Sequence, residues 1–84
     1  MTPEQAFGMV LKEHREALKL SQEKLAFQAG LDRTFISMLE RGIRQPSLTS
    51  ILVLAEALNV SAEQMVKKTK AVMARQEKEE QEKK

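Results

Sequence analysis

The chain has 84 residues, enough for one small domain whose thin core leaves room for self-association. Apolar residues make up 42% and charged residues 31%, as in soluble globular domains, while an aromatic content of 4% with neither Trp nor Tyr excludes a stacking platform for single-stranded bases. The lack of Cys excludes disulfides and thiolate zinc sites, and the net charge of +2 is unevenly spread, with seven Lys/Arg against eight Asp/Glu in residues 1–66 and seven against four in residues 67–84. The body is therefore not basic in bulk, and nucleic-acid binding would need its positive groups gathered on one face.

Taken in chain order, the pattern predicts five helices and no strand. Thr2 is placed to cap a first helix with Pro3 in its opening turn, and Phe7, Val10, Leu11, His14 and Leu18 recur at helical spacing to about Lys19. Ser21 caps a second helix, "SQEKLAFQAG", that stops at Gly30. Asp32 caps a third, which Gly42 ends. After "GIRQPS", Ser47 caps a fourth helix carrying Leu48, Ile51, Leu52, Ala55 and Leu58, and Ser61 caps a fifth, "AEQMVKKTK". The Glu/Lys-mixed end of the chain predicts a solvated helical extension or a frayed end. The expected organisation is an all-α domain over residues 1–66 followed by a charged tail over 67–84.

The second and third helices are joined only by Gly30 and Leu31, which forces them to cross steeply; small Ala26 allows the approach, and Leu25, Ala29, Leu31, Ile36 and Leu39 form an internal wedge. This is a helix-turn-helix arrangement. Advancing 100° per residue from Ile36 turns Leu39 and Glu40 inward with Phe35 on one flank. Thr34, Ser37, Met38 and Arg41 then point outward, with Arg33 at the edge. A short, cationic, hydroxyl-bearing face of this kind suits the major groove, where Arg bonds guanine in bidentate fashion and methyl groups meet thymine.

Other functions find little support. His14 is the one histidine and sits on an apolar stripe, so packing is expected rather than metal ligation. No nucleophile–base or paired-carboxylate set can be assembled, so neither an enzyme nor a cofactor is expected. A small-molecule effector is not expected, because these 84 residues offer no second domain to hold one. The N-terminus lacks a basic n-region and a long apolar h-region, and the longest apolar run, residues 51–55, is too short for a bilayer; a cytoplasmic protein without membrane attachment is expected. In the fourth helix, Leu48, Leu52, Ala55 and Leu58 suffice for a core face. Ile51, Val53 and Leu54 widen the apolar arc, which suggests a subunit interface, although Ile51 fits simple burial equally well.

The stretches "LSQEKLAFQAGLDRTFISMLERG" and "PSLTSILVLAEALNVSAEQMV" resemble the phage-repressor/Cro-type (XRE-like) helix-turn-helix family of DNA-binding regulators, from about Arg15 to Val66. The run "LDRTFIS" is similar to small stand-alone regulators, including controller proteins of restriction-modification systems. The resemblance implies a lambda-repressor-like fold and sequence-specific binding of double-stranded DNA in transcription regulation. It implies base reading by Arg33, Thr34, Ser37 and Met38, and phosphate binding by Ser21 and Gln22 at the start of the second helix and by Arg41 and Arg44 after the third. It further implies an ion pair of Arg15 with Glu40, and a homodimer through Ile51, Val53, Val60, Met65 and Val66 acting on an inverted repeat. Arg33-Thr34 departs from the Gln-Gln of some phage members, so their operator does not carry over. The alternative from another class is an antitoxin-like or scaffold module whose main task is to hold a partner protein, bound by the tail from Lys67 onward.

Overall fold

In the computed structural model, which describes residues 1–82, the chain forms five α-helices: α1 (Pro3–Ala17), α2 (Gln22–Ala29), α3 (Arg33–Glu40), α4 (Leu48–Ala57) and α5 (Ala62–Glu82). No strand occurs among the described residues. Most of the starts are set by local chemistry. The Thr2 hydroxyl accepts from Gln5 N at 3.1 Å while the Gln5 side chain accepts from Thr2 N at 2.9 Å, a reciprocal capping box. Ser21, Ser47 and Ser61 each accept from the backbone N–H three residues on, at 3.0 Å. Asp32 stands at the start of α3, but its side chain makes no capping bond, contrary to the expectation from sequence.

Four helix ends share one closure. Lys19, Gly30, Gly42 and Asn59 all adopt left-handed backbone, with φ of 58°, 68°, 74° and 58°. The following N–H then reaches back five residues: Leu20 to Arg15 O, Leu31 to Ala26 O, Ile43 to Met38 O and Val60 to Ala55 O, at 2.9–3.1 Å. Leu20, Leu31 and Val60 turn into the core from these corners. Helix α1 thus ends at Ala17 rather than near Lys19.

All five helices contribute to one core, in which Leu11, Leu25, Ile36, Leu39, Leu54 and Met65 are fully buried. Each such side chain contributes about 1.5–3 kcal/mol of transfer free energy. Helix α1 lies against both α3 and α5, and α2 against α3 and α4. The approach of α1 to α3 is close enough that a Cβ on Gly8 would lie 2.4 Å from Leu39 O and 2.7 Å from Glu40 O. Helix α3 is therefore seated on α1 backbone to backbone.

The expected core face of α4 is corrected. The face of α4 turned to the core carries Leu54, Ala55 and Leu58, with Ser50 buried beside them, whereas Leu48 and Leu52 are exposed by 73% and 52%. Helix α4 is apolar around much of its circumference, so its periodicity cannot orient it; the packing of α2 and α5 does. Beyond Val66 the charged stretch takes the form of a helical extension, one of the two forms expected for it, and α5 runs unbroken for 21 residues. Thr69 is buried and donates to Met65 O at 2.8 Å, and Val72 and Met73 are half-buried. Of the tail, residues 83 and 84 lie outside the described residues.

Candidate nucleic-acid interface

Helices α2 and α3 are eight residues each and turn at Gly30. Burying Ile36 and Leu39 fixes the rotation of α3 about its axis, which leaves Arg33 and Thr34 exposed at its N-terminal end. Ser37 and Met38 are partly shielded, so the polar face is narrower than an isolated helical wheel implies. Arg41 and Arg44 are both exposed beyond the other end of α3. The Arg41 Nε donates to Ser37 O at 3.4 Å, and the Arg44 guanidinium lies over the Phe35 ring, 5.4 Å from its centroid.

The inner side of α3 ends in a polar network. Arg15 of α1 donates from Nε to Glu40 Oε2 at 2.7 Å and from Nη2 to Glu40 Oε1 at 3.0 Å, and its Nη1 donates to Leu20 O at 2.8 Å. Gln22 Nε2 of α2 donates to the same Glu40 Oε1 at 3.1 Å. The side chains of Arg15 and Glu40 are only 12% and 4% exposed. The hydrogen bond to Glu40 raises the Arg15 pKa further above its ordinary value, against the opposing effect of burial. Glu40 thereby joins α1, α2 and α3 at one carboxylate.

The residues singled out in the sequence come together unevenly. Arg33, Thr34, Arg41 and Arg44 lie along α3 and the loop after it, all open to solvent. At the start of α2, the Ser21 hydroxyl accepts from Lys24 N and can still donate its O–H to a phosphate oxygen. Gln22 is half-buried with its amide committed to Glu40, so its side chain is less available for phosphate than expected; the unpaired backbone N–H groups of the α2 first turn remain.

On α4 and α5 the suggested interface set is partly displaced. Met65 is fully buried inside this chain, and Val53 and Val60 are half-buried, with Val60 packed on the core. Met65 is therefore a core residue and offers nothing to a partner surface. The exposed apolar residues are Leu48, Leu52 and Val66, which with Ile51 and Ala62 line an open groove of about 580 Å³ rimmed by Glu63, Lys67 and Lys70.

The sequence reading missed three features. The Gly8 contact had a signal, a glycine inside an otherwise regular apolar helix, which normally marks a close approach. The Gln22 bond to Glu40 and the cation–π contact of Arg44 with Phe35 had none, because each joins residues on different elements.

The helix-turn-helix (HTH_3) family model matches residues 11–65. The control protein C.BamHI of Bacillus amyloliquefaciens is 41% identical over 61 residues, which is 71% of this chain and 75% of that protein. Two transcriptional regulators of Mycobacterium tuberculosis are 38% identical over 56 residues, 67% of this chain, but the match spans only 40% of their length. Among solved structures, the restriction-modification controller C.AhdI of Aeromonas hydrophila superposes with a TM-score of 0.72 at 47% identity, covering 74% of this chain and 94% of that one. The biofilm regulator SinR, solved in complex with DNA, superposes with a TM-score of 0.69 at 26% identity over 71% of this chain and 97% of that one. With the helix-turn-helix pair, its buried wedge and its three-helix carboxylate junction in place, the chain belongs to the XRE-type helix-turn-helix family.

Proposed function

We propose that the protein is a cytoplasmic, sequence-specific transcription regulator that binds double-stranded DNA as a homodimer on an inverted-repeat operator. The observation that carries this reading is the mounting of α3. Ile36 and Leu39 are fully buried and its last carboxylate is tied to α1 and α2, while Arg33 and Thr34 are left open at one end and Arg41 and Arg44 beyond the other. A helix held this rigidly can enter the major groove without reorganising. In this reading Arg33 and Thr34 meet base edges, with Ser37 and Met38 at the shoulder of the contact. Ser21, the α2 N-terminus, Arg41 and Arg44 hold phosphates on either side and set the register.

The homodimer is supported by the exposed apolar residues of α4 and α5. Leu48, Leu52 and Val66 form a contiguous patch on a small domain, and a second copy of the same patch would cover it about a two-fold axis. Two reading helices would then sit about 34 Å apart, one turn of B-DNA, matching inverted half-sites about 10 base pairs apart centre to centre.

Selection of the purified chain against a pool of random duplexes tests the reading. The expected outcome is enrichment of one sequence with two-fold symmetry at that spacing. An enriched sequence without symmetry would remove the homodimer, and no enrichment would remove sequence-specific binding.

A further inference from the structure

We infer that Phe35 is a positioning residue for Arg44: its ring holds the guanidinium of a loop arginine at a fixed place relative to the reading helix. The inference rests on the DNA-binding reading above and adds a role to a residue that otherwise counts as core. Phe35 is half-buried and packs against the core cluster. The guanidinium of Arg44, from the exposed loop between α3 and α4, lies over the ring at 5.4 Å from its centroid, within reach of the ring quadrupole.

The form of the contact matters for a phosphate ligand. Arg15 spends its N–H groups on Glu40 and Leu20 O, and Arg41 directs its Nε to Ser37 O. The contact with the Phe35 ring occupies no hydrogen-bond acceptor, so the Arg44 N–H groups remain available to phosphate oxygens. The start of the loop is already fixed. Ile43 N donates to Met38 O at 3.1 Å, and Gly42, at φ 74°, lies so close to α1 that a Cβ there would stand 2.8 Å from Gln5 Cα. The long Arg44 side chain is the part left to order, and Phe35 orders it before DNA arrives. Because Phe35 belongs to α3, the cation is indexed to the helix that carries Arg33 and Thr34. Pre-ordering of this kind lowers the entropic cost of a contact without adding a new one.

The test is a double-mutant cycle on the full chain with Phe35→Leu, Arg44→Ala and the pair, read as Kd for a selected duplex and for an unrelated duplex. Phe35→Tyr serves as the conservative rescue, and the Arg44 side-chain NMR shifts of the free protein give a second readout. Phe35→Leu is expected to weaken both duplexes alike by about two- to five-fold, and to cause no further loss once Arg44 is Ala. Phe35→Tyr should retain wild-type affinity. The Arg44 δ-protons should be shifted upfield by the ring in the wild type and the Tyr variant, and not in the Leu variant. Additive losses, or a loss confined to one base pair, would overturn the positioning role while leaving DNA binding intact. Random-coil Arg44 shifts in the wild type would overturn it without any variant, even if Phe35→Leu failed to fold. A wild-type chain that binds neither duplex would remove the DNA-binding reading and this inference with it.

Discussion

Replacing Glu40 by Ala tests how the reading helix is held. The substitution removes the acceptor for Arg15 Nε, Arg15 Nη2 and Gln22 Nε2 together. The Arg15 side chain, 12% exposed, would keep only its bond to Leu20 O and would hold a charge without its paired carboxylate. Breaking one side of a buried pair costs about 3–5 kcal/mol, chiefly through the charge left behind. A domain of this length has a total stability of roughly 4–12 kcal/mol, so a large share would be lost. The melting midpoint should fall by more than about 12 °C, since each kcal/mol moves a domain of this size by about 4–8 °C. The double replacement Arg15→Met with Glu40→Leu should recover much of the loss, because an apolar pair leaves no orphaned charge. Thermal denaturation followed by circular dichroism reads all three chains. A midpoint for Glu40→Ala within error of wild type would refute the idea that this carboxylate joins three helices. Equal losses for the single and double replacements would show that the orphaned charge is not the cause.

Gly8→Ala should destabilise the fold by about 2 kcal/mol, although helix propensity alone favours Ala by about 1 kcal/mol, because the new Cβ meets two backbone oxygens that cannot rotate away; denaturant unfolding that shows stabilisation would refute the close seating of α3 on α1. Leu52→Glu should convert a dimer to a monomer in sedimentation while keeping the helical spectrum, since Leu52 is half-exposed in the single chain; a dimer that persists would move the interface elsewhere. Arg33→Ala should cost about 1–3 kcal/mol of binding and relax preference at one base pair, whereas Arg44→Ala should weaken all sequences alike and reduce the salt slope by about one; matching behaviour in titrations of a mutated-site panel would erase the division into reader and anchor. His14 has a buried, unpaired Nε2, and its pKa is lowered from 6.5 first by burial and then by Lys68, with Glu13 opposing. The fold therefore prefers the neutral ring: stability should be flat above about pH 6.5 and fall as the pH drops from there toward the folded pKa, and His14→Gln should flatten that decline in chemical denaturation across pH.

What could be read from the sequence was what adjacent residues decide. Thr2, Ser21, Ser47 and Ser61 close their first turns as their positions imply, since a cap needs only a hydroxyl three residues before an N–H. The wedge of Ile36 and Leu39 was equally legible, because α3 has a single apolar side. Helix α4 was not, since apolar residues surround most of it. Leu54 is core, and Leu48 and Leu52 are surface, because α2 and α5 lie where they do. Met65 went wrong for the same reason: α5 buries it against the core, and periodicity cannot say which neighbour covers a side chain. Past Val66, α5 still packs along α1, and Thr69 is buried while Val72 and Met73 are half-buried. Truncation after Val66 would therefore remove packing along with any partner site, so it cannot separate a partner-binding tail from a damaged fold. The bonds of Gln22 to Glu40 and of Arg44 to Phe35 depend on three-dimensional neighbours alone.

The central claim is that the open end of α3 distinguishes one DNA sequence from another. The most direct measurement is the affinity of the purified chain for its selected duplex and for an unrelated duplex of equal length, each at two salt concentrations. The selected duplex should bind tighter by about 10³-fold or more. The ratio should persist at the higher salt, because phosphate contacts common to both duplexes carry most of the salt dependence. Equal affinities that fall together with salt would contradict the claim and leave α3 as one more cationic surface.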